Sequence, residues 1–151
     1  MGLLNPVTGD IFGSKAQTLV NAVNCFGVMG KGIALTFKNR FPDMYKDYVD
    51  KCRGGEVKLG QPYLFRGSKE PWVLNFPTKS HWKEASKLQD IVGGMEYLKG
   101  HYKDWGISSL AVPALGCGEG GLKWKVVERT LNQYLNDFDI PVELYAPWNT
   151  H

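Results

Sequence analysis

Asn24-Cys25-Phe26-Gly27-Val28-Met29-Gly30-Lys31-Gly32 is the stretch on which the reading of this chain turns. An apolar, β-prone run, Leu19-Val20-Asn21-Ala22-Val23, precedes it, and Ile33-Ala34-Leu35-Thr36-Phe37 follows with helical spacing. The pattern predicts a strand, a glycine-rich loop and a helix. Gly27, Gly30 and Gly32 allow tight turns and close approach of a ligand to the main chain. Free N–H groups and the positive dipole end at a helix N-terminus favour an anion there, so the loop predicts a phosphate-bearing ligand, with an ordinary strand-to-helix turn as the other reading that the glycines allow.

The flanking sequence extends the pattern. Val7-Thr8-Gly9-Asp10-Ile11-Phe12 reads as a short strand, with Asp10 placed either to cap a turn or to accept from an exocyclic amine such as that of adenine. Ile33, Phe37 and Phe41 form one helix face, which Pro42 ends. Asp43 opens a second helix with Met44, Tyr48 and Cys52, and Gly54-Gly55 closes it. Pro62–Phe65 and Trp72–Phe76 read as strands joined like a hairpin. Ser86 and Gln89 have capping-box spacing ahead of the stripe Leu88, Ile91, Val92, Met95, Leu98, Tyr102. Ser109-Leu110-Ala111-Val112-Pro113 is nearly apolar throughout, as in a strand covered on both faces. A second glycine loop follows, Leu115-Gly116-Cys117-Gly118-Glu119-Gly120-Gly121-Leu122. A helix bearing Trp124, Val127, Leu131, Tyr134, Leu135 and Phe138 comes next, and Val142–Tyr145 is the last strand. Strands interspersed with helices predict an α/β fold, with helices on both faces of a mixed sheet and both glycine loops at one crevice.

The chain has 151 residues, 43% apolar and 22% charged, with a net charge of +3. That length predicts one domain over residues 1–151 that needs no disulfide or metal staple. The mild positive charge permits a polyanionic partner without demanding one. Cys25, Cys52 and Cys117 are odd in number and widely spaced, and no signal peptide is evident. They read as reduced cysteines of a cytoplasmic protein. His81, His101 and His151 lack zinc-site spacing, so no metal is expected. No apolar stretch is long enough to span a membrane. The tail Trp148-Asn149-Thr150-His151 fits either a whole small protein or one domain of a longer one.

Two stock phosphate motifs fail. A P-loop needs Gly where Cys25 stands and Ser or Thr where Gly32 stands. Gly116, Gly118 and Gly121 do match the dinucleotide fingerprint. However, the sequence after them holds only one helix and one strand, and Asp139 precedes that strand instead of following it.

Taken together, the loops resemble the macro domain family over nearly the whole chain. The resemblance is carried by Gly9-Asp10-Ile11, Asn21-Ala22-Val23-Asn24, the run from Gly27 to Ala34, and Gly116-Cys117-Gly118. Asn75-Phe76-Pro77-Thr78-Lys79-Ser80-His81-Trp82 narrows it further. With both glycine loops, that run is similar to the branch of antitoxins that remove ADP-ribose from thymine bases in DNA.

The resemblance implies a three-layer α/β/α macro domain and ADP-ribose as ligand, with no cofactor. Asp10 would accept from adenine N6 and the Ile11 N–H would face the ring. Asn24, Gly30, Lys31, Gly32 and Ile33 would hold the diphosphate and distal ribose. Gly116, Cys117, Gly118, Glu119, Gly120, Gly121 and Leu122 would close over the diphosphate, and Tyr145 would either border the adenine or pack in the core. It also implies a catalytic lysine at Lys79. Apolar neighbours would favour a free amine that forms a Schiff base with the ring-opened distal ribose. Alternatively, a charged Lys79 would stabilise the leaving base.

A related branch acts on ADP-ribosylated protein carboxylates and carries an aspartate in the second loop. Gly120 stands at that place here, beside Glu119. A single-stranded DNA substrate would meet His81, Trp82 and Lys83, or else Lys123-Trp124-Lys125. A cognate ADP-ribosyltransferase toxin is the implied partner, and the protein is expected to be a monomer. Alternative readings are action on protein carboxylate esters or ADP-ribose 1″-phosphate, and a module that binds ADP-ribose without turning it over.

Overall fold

A computed structural model describes residues Leu3–Pro147; the tail from Trp148 to His151 lies outside the described residues. Six strands form one sheet: β1 (Leu4–Val7), β2 (Thr18–Asn24), β3 (Tyr63–Phe65), β4 (Trp72–Lys79), β5 (Leu110–Val112) and β6 (Val142–Tyr145). Their order is β1-β6-β5-β2-β4-β3. All neighbouring pairs are parallel except the β3–β4 hairpin at the edge.

Four helices cover the sheet: α1 (Gly32–Arg40), α2 (Pro42–Arg53), α3 (Leu88–His101) and α4 (Trp124–Leu135). Alternate residues of a strand point to opposite faces, and the core divides accordingly. Leu19, Val23 and Val73 pack with Phe37, Met44 and Tyr48 of α1 and α2. Val20, Leu74 and Phe76 pack with Ile91, Met95, Val127 and Leu131 of α3 and α4. This is the α/β/α mixed-sheet architecture that the sequence predicts. Helix α3 lies so close to the sheet that a Cβ on Gly94 would come within 2.3 Å of the Phe76 ring. Asn21 and Asn75, both buried, pair across β2 and β4 at 3.1 Å.

Three local expectations change. First, β1 ends at Val7 instead of running to Phe12. Gly9 takes φ 113°, and Asp10 caps a single 3-10 turn, Ile11–Gly13, by accepting from the Phe12 N–H at 2.9 Å. Second, Ser86 and Gln89 make no capping box. The N-cap is Lys87, without a side-chain cap, because Ser86 turns inward and is buried. Third, only two glycines of the first loop need their freedom. Gly27 (φ 106°) and Gly32 (φ 60°) have positive φ, whereas Gly30 does not.

Candidate active site

The carboxyl ends of the parallel strands β1, β2, β4, β5 and β6 open into one cavity of about 800 Å³, the place where ligands enter open α/β sheets. Its wall joins Asp10 and Ile11, Asn24, the segment Gly30–Ala34, Lys79, Trp82 and Lys83, Gly116–Gly120 and Tyr145. Both glycine loops therefore face one crevice. The tip of Lys31 on the first loop lies 3.8 Å from the Glu119 carboxylate on the second. Gly121, Leu122 and His81 do not reach this wall, and neither does Lys123-Trp124-Lys125. Trp124 packs part of its ring against the α3–α4 core instead.

The first loop is held by side chains. Asn24 Oδ1 accepts from the N–H groups of Phe26, Gly27 and Val28 at 3.0, 3.1 and 3.4 Å, and from the Tyr48 hydroxyl at 2.8 Å. Asn24 Nδ2 donates to the Val28 carbonyl at 2.8 Å. Asn24 reaches the cavity, but most of its hydrogen bonding organises the loop. Met29, only 1% exposed, plugs the loop into the α1–α2 core. Nothing in glycine spacing points to this anchor; a large apolar side chain between Val28 and Gly30 is the only trace. Helix α1 begins with no side-chain cap, so its first N–H groups remain available at the cavity.

The second loop is held by its own backbone and by a neighbour. The N–H groups of Cys117, Gly120, Gly121 and Leu122 bond to carbonyls within the loop or just before it. Those of Gly118 and Glu119 have no backbone partner among the described residues, leaving donors suited to an anion. Gly116 has φ 77°, and a Cβ there would meet Leu122 Cδ1 at 2.6 Å. At Gly120 a Cβ would lie 2.3 Å from Ser86 Oγ. Ser86 also donates its N–H to the Gly120 carbonyl at 2.9 Å, while its buried hydroxyl has no partner. Ser86 thus fills the space an aspartate side chain would need at position 120.

Lys79 is placed by a break in strand register. Val23 pairs with Pro77, but Asn24 pairs with Lys79, so Thr78 is an extra residue in β4. Such a bulge re-aims the next side chain. The Cys25 N–H fastens the turn by donating to the carbonyls of Lys79 and Ser80 at 3.1 and 3.2 Å. Lys79 Nζ then donates to the Trp82 carbonyl at 3.0 Å and the Glu119 carbonyl at 3.4 Å. The neighbours that the amine meets are these carbonyl oxygens, not the apolar surroundings that Phe76, Pro77, His81 and Trp82 lead one to expect beside it in sequence. The strand read as Trp72–Phe76 runs on to Lys79, and Pro77 inside it is the one sequence signal of the bulge.

Asp10 Oδ1 caps the 3-10 turn, and its other oxygen has no hydrogen-bond partner among the described residues. Tyr145 is buried yet lines the cavity, and its hydroxyl donates to Glu143 Oε1 at 3.1 Å. Tyr145 therefore packs in the core and also faces the cavity. Burial pushes the Cys117 thiol up to about 11. At neutral pH it presents a neutral S–H to the cavity, which neither repels an anion nor acts as a nucleophile.

The macro domain model matches residues 20–131. A DNA ADP-ribosyl transferase–DNA ADP-ribosyl glycohydrolase fusion protein of Thermosipho africanus is 43% identical over 95% of this chain and 42% of its own length. The structure of the Thermosipho africanus DarTG in complex with ADP-ribose superposes with a TM-score of 0.90 at 44% identity, over 97% of this chain and 43% of that one. The macrodomain of Mycobacterium tuberculosis DarG does so with a TM-score of 0.92 at 40% identity, over 97% of this chain and 99% of that one. The chain spans about two fifths of the length of the curated DNA ADP-ribosyl glycohydrolases it matches.

Proposed function

The chain belongs to the macro domain family, and on that premise we propose that it is an ADP-ribosyl glycohydrolase that releases ADP-ribose from thymine bases of single-stranded DNA. The observation that carries the reading is the position of Lys79 Nζ, held over the cavity between the 80–86 segment and the second glycine loop. The relatives' names point to the same reaction on DNA.

In this reading adenine lies near Asp10, Ile11 and Tyr145. The diphosphate takes the free N–H groups of Gly118 and Glu119 and those at the start of α1. The distal ribose then points toward Lys79, and the DNA base leaves past Trp82 and Lys83, with His81 behind them. Lys79 acts on the C1″–base bond in one of two ways. Its amine adds to C1″ of the ring-opened ribose, the C1″–N bond to the base breaks as the base leaves with a proton, and water hydrolyses the resulting Schiff base to release ADP-ribose and restore the amine. Otherwise its ammonium stabilises the departing base. Gly120, closed by Ser86, supports the DNA reading over the protein-carboxylate reading, whose branch places an aspartate there. The fused transferase in one relative supports a cognate ADP-ribosyltransferase as partner. Residues 1–151 act here as one domain, as a monomer in the cytoplasm.

The test is turnover on three substrates: ADP-ribosylated single-stranded DNA, an ADP-ribosylated protein carboxylate, and ADP-ribose 1″-phosphate. The DNA substrate is expected to be cleaved fastest. Lys79→Ala should lose turnover by a hundredfold or more, on the order of a lost transition-state contact, while still binding ADP-ribose by calorimetry. Lys79→Arg keeps the cation but cannot form a Schiff base, so retained activity assigns the electrostatic role. Undiminished turnover in Lys79→Ala removes this lysine from the chemistry. Calorimetric binding of ADP-ribose with no product from any substrate would leave a binding module.

A further inference from the structure

We propose that Phe26, His81 and Trp82 form a stacking platform for an unmodified base next to the ADP-ribosylated one. The inference rests on the DNA reading above and extends its substrate beyond the modified nucleotide.

Phe26 is 57% exposed and Trp82 42%, so two of the large apolar side chains exposed on the described surface stand at one place. The His81 ring lies between them. Its centroid is 4.4 Å from that of Phe26 and 5.6 Å from that of Trp82, and the His81 and Trp82 planes are within 26° of each other. Lys83 Nζ stands 5.0 Å from the centre of the Trp82 ring. Exposed aromatic faces beside a cation are the recurrent way to hold single-stranded nucleic acid, because every base has a π-face to stack.

The His81 ring and the backbone that carries Phe26 are also held in advance. His81 Nδ1 accepts the Lys83 N–H at 3.1 Å, and the His81 N–H donates to Glu84 Oε1 at 3.0 Å. The Phe26 N–H is tied to Asn24 Oδ1 at 3.0 Å, and Gly27 beside it has φ 106°. Pre-ordered rings lose little freedom on binding.

The platform is continuous with the cavity. Trp82 and Lys83 line the wall, and the Trp82 carbonyl holds Lys79 Nζ. A strand whose modified base is seated at Lys79 would therefore pass Trp82 on leaving and meet His81 and Phe26 with its next base. An acidic protein side chain brings no flat ring to this surface. A paired DNA duplex keeps its base faces stacked inside, so the fit is to a single strand.

Phe26 lies outside the cavity wall, which makes it the residue to change. Phe26→Leu keeps the apolar bulk and removes the ring, and Phe26→Trp restores one. The probes are an unmodified short single-stranded oligonucleotide, the same oligonucleotide bearing one ADP-ribosylated thymine, and the ADP-ribosylated thymidine nucleoside. Phe26→Leu should weaken binding of the unmodified oligonucleotide and raise KM for the modified one roughly tenfold, in the range of one lost base stack. Turnover of the nucleoside and affinity for ADP-ribose should not change, and Phe26→Trp should recover oligonucleotide binding. If Phe26→Leu binds the oligonucleotide within about twofold of the unaltered chain, the platform is overturned. If the unaltered chain cleaves neither DNA substrate, the DNA reading fails, and the unmodified oligonucleotide still decides the platform.

Discussion

The two glycine loops meet at one cavity but are built on opposite plans. The first is fastened from within. Asn24 gathers three N–H groups, Met29 reaches down into the core, and only Gly27 and Gly32 need positive φ. The second also has an apolar foot, Leu115, buried in the α3–α4 core, but no side chain that gathers its N–H groups as Asn24 does. It is shaped by glycines at positive φ (Gly116, Gly118, Gly121), by contact with its own Leu122 and by Ser86 from outside. The comparison teaches that glycine serves two purposes here. In the first loop it permits turns, whereas at Gly116 and Gly120 of the second it leaves room for a neighbour. Lys79 stands where the plans meet, fastened through the Cys25 N–H on one side and the Glu119 carbonyl on the other.

Removing the internal anchor should have the largest effect. Met29→Ala empties a site with 1% exposure and should cost about 2–5 kcal/mol of stability, the usual range for a large-to-small core change. Urea unfolding measures it, and ADP-ribose affinity should fall as well because the start of α1 is no longer held. A loss below about 1 kcal/mol would mean that Asn24 alone supports the loop.

The external wedge gives a smaller, correctable effect. Gly120→Ala places a methyl 2.3 Å from Ser86 Oγ and should cost about 1–3 kcal/mol, as overpacking does. Ser86→Gly should cancel much of that in the double variant, because the clash is with this one side chain. Additive losses in the cycle would show that Ser86 is not the obstacle.

A pH titration compares the loops on one scale. Burial, helped by Cys52, pushes the Cys25 thiol of the first loop from 9.0 to about 11, and burial alone does the same for Cys117 of the second. A folded pKa above the unfolded one means that the contribution is fully present below pH 9 and is lost as pH rises toward 11. The unfolded chain releases those protons first. Urea midpoints should fall across that window, and Cys25→Ser and Cys117→Ser should each flatten the fall. If only one does, the thiols differ in burial in solution.

The smallest effect belongs to the ion pair across the cavity mouth. Lys31 and Glu119 are 3.8 Å apart with side chains 73% and 64% exposed, so Glu119→Gln should change stability by less than about 1 kcal/mol. Turnover should stay near that of the unaltered chain if Glu119 is only a rim residue. A large loss in kcat, with the fold intact, would make its carboxylate an acid or base in the reaction.

Local chemistry in the sequence was enough for the element types, the two-faced sheet and the two glycine loops, whereas the lysine between them was marked only by the family resemblance. Apolar period, proline, glycine and strand length act over a few residues and survive without knowledge of the fold. The tertiary structure alone decided what those residues touch. The capping spacing of Ser86 and Gln89 is a local signal, but burial of Ser86 against Gly120 overrode it. The bulge at Thr78 depends on which residue of β2 faces it, a pairing between segments more than fifty positions apart in the chain. The carbonyls around Lys79 Nζ come from two loops, one of them forty residues away. Contacts of that kind depend on how distant segments pack, and residue order alone does not specify their distances.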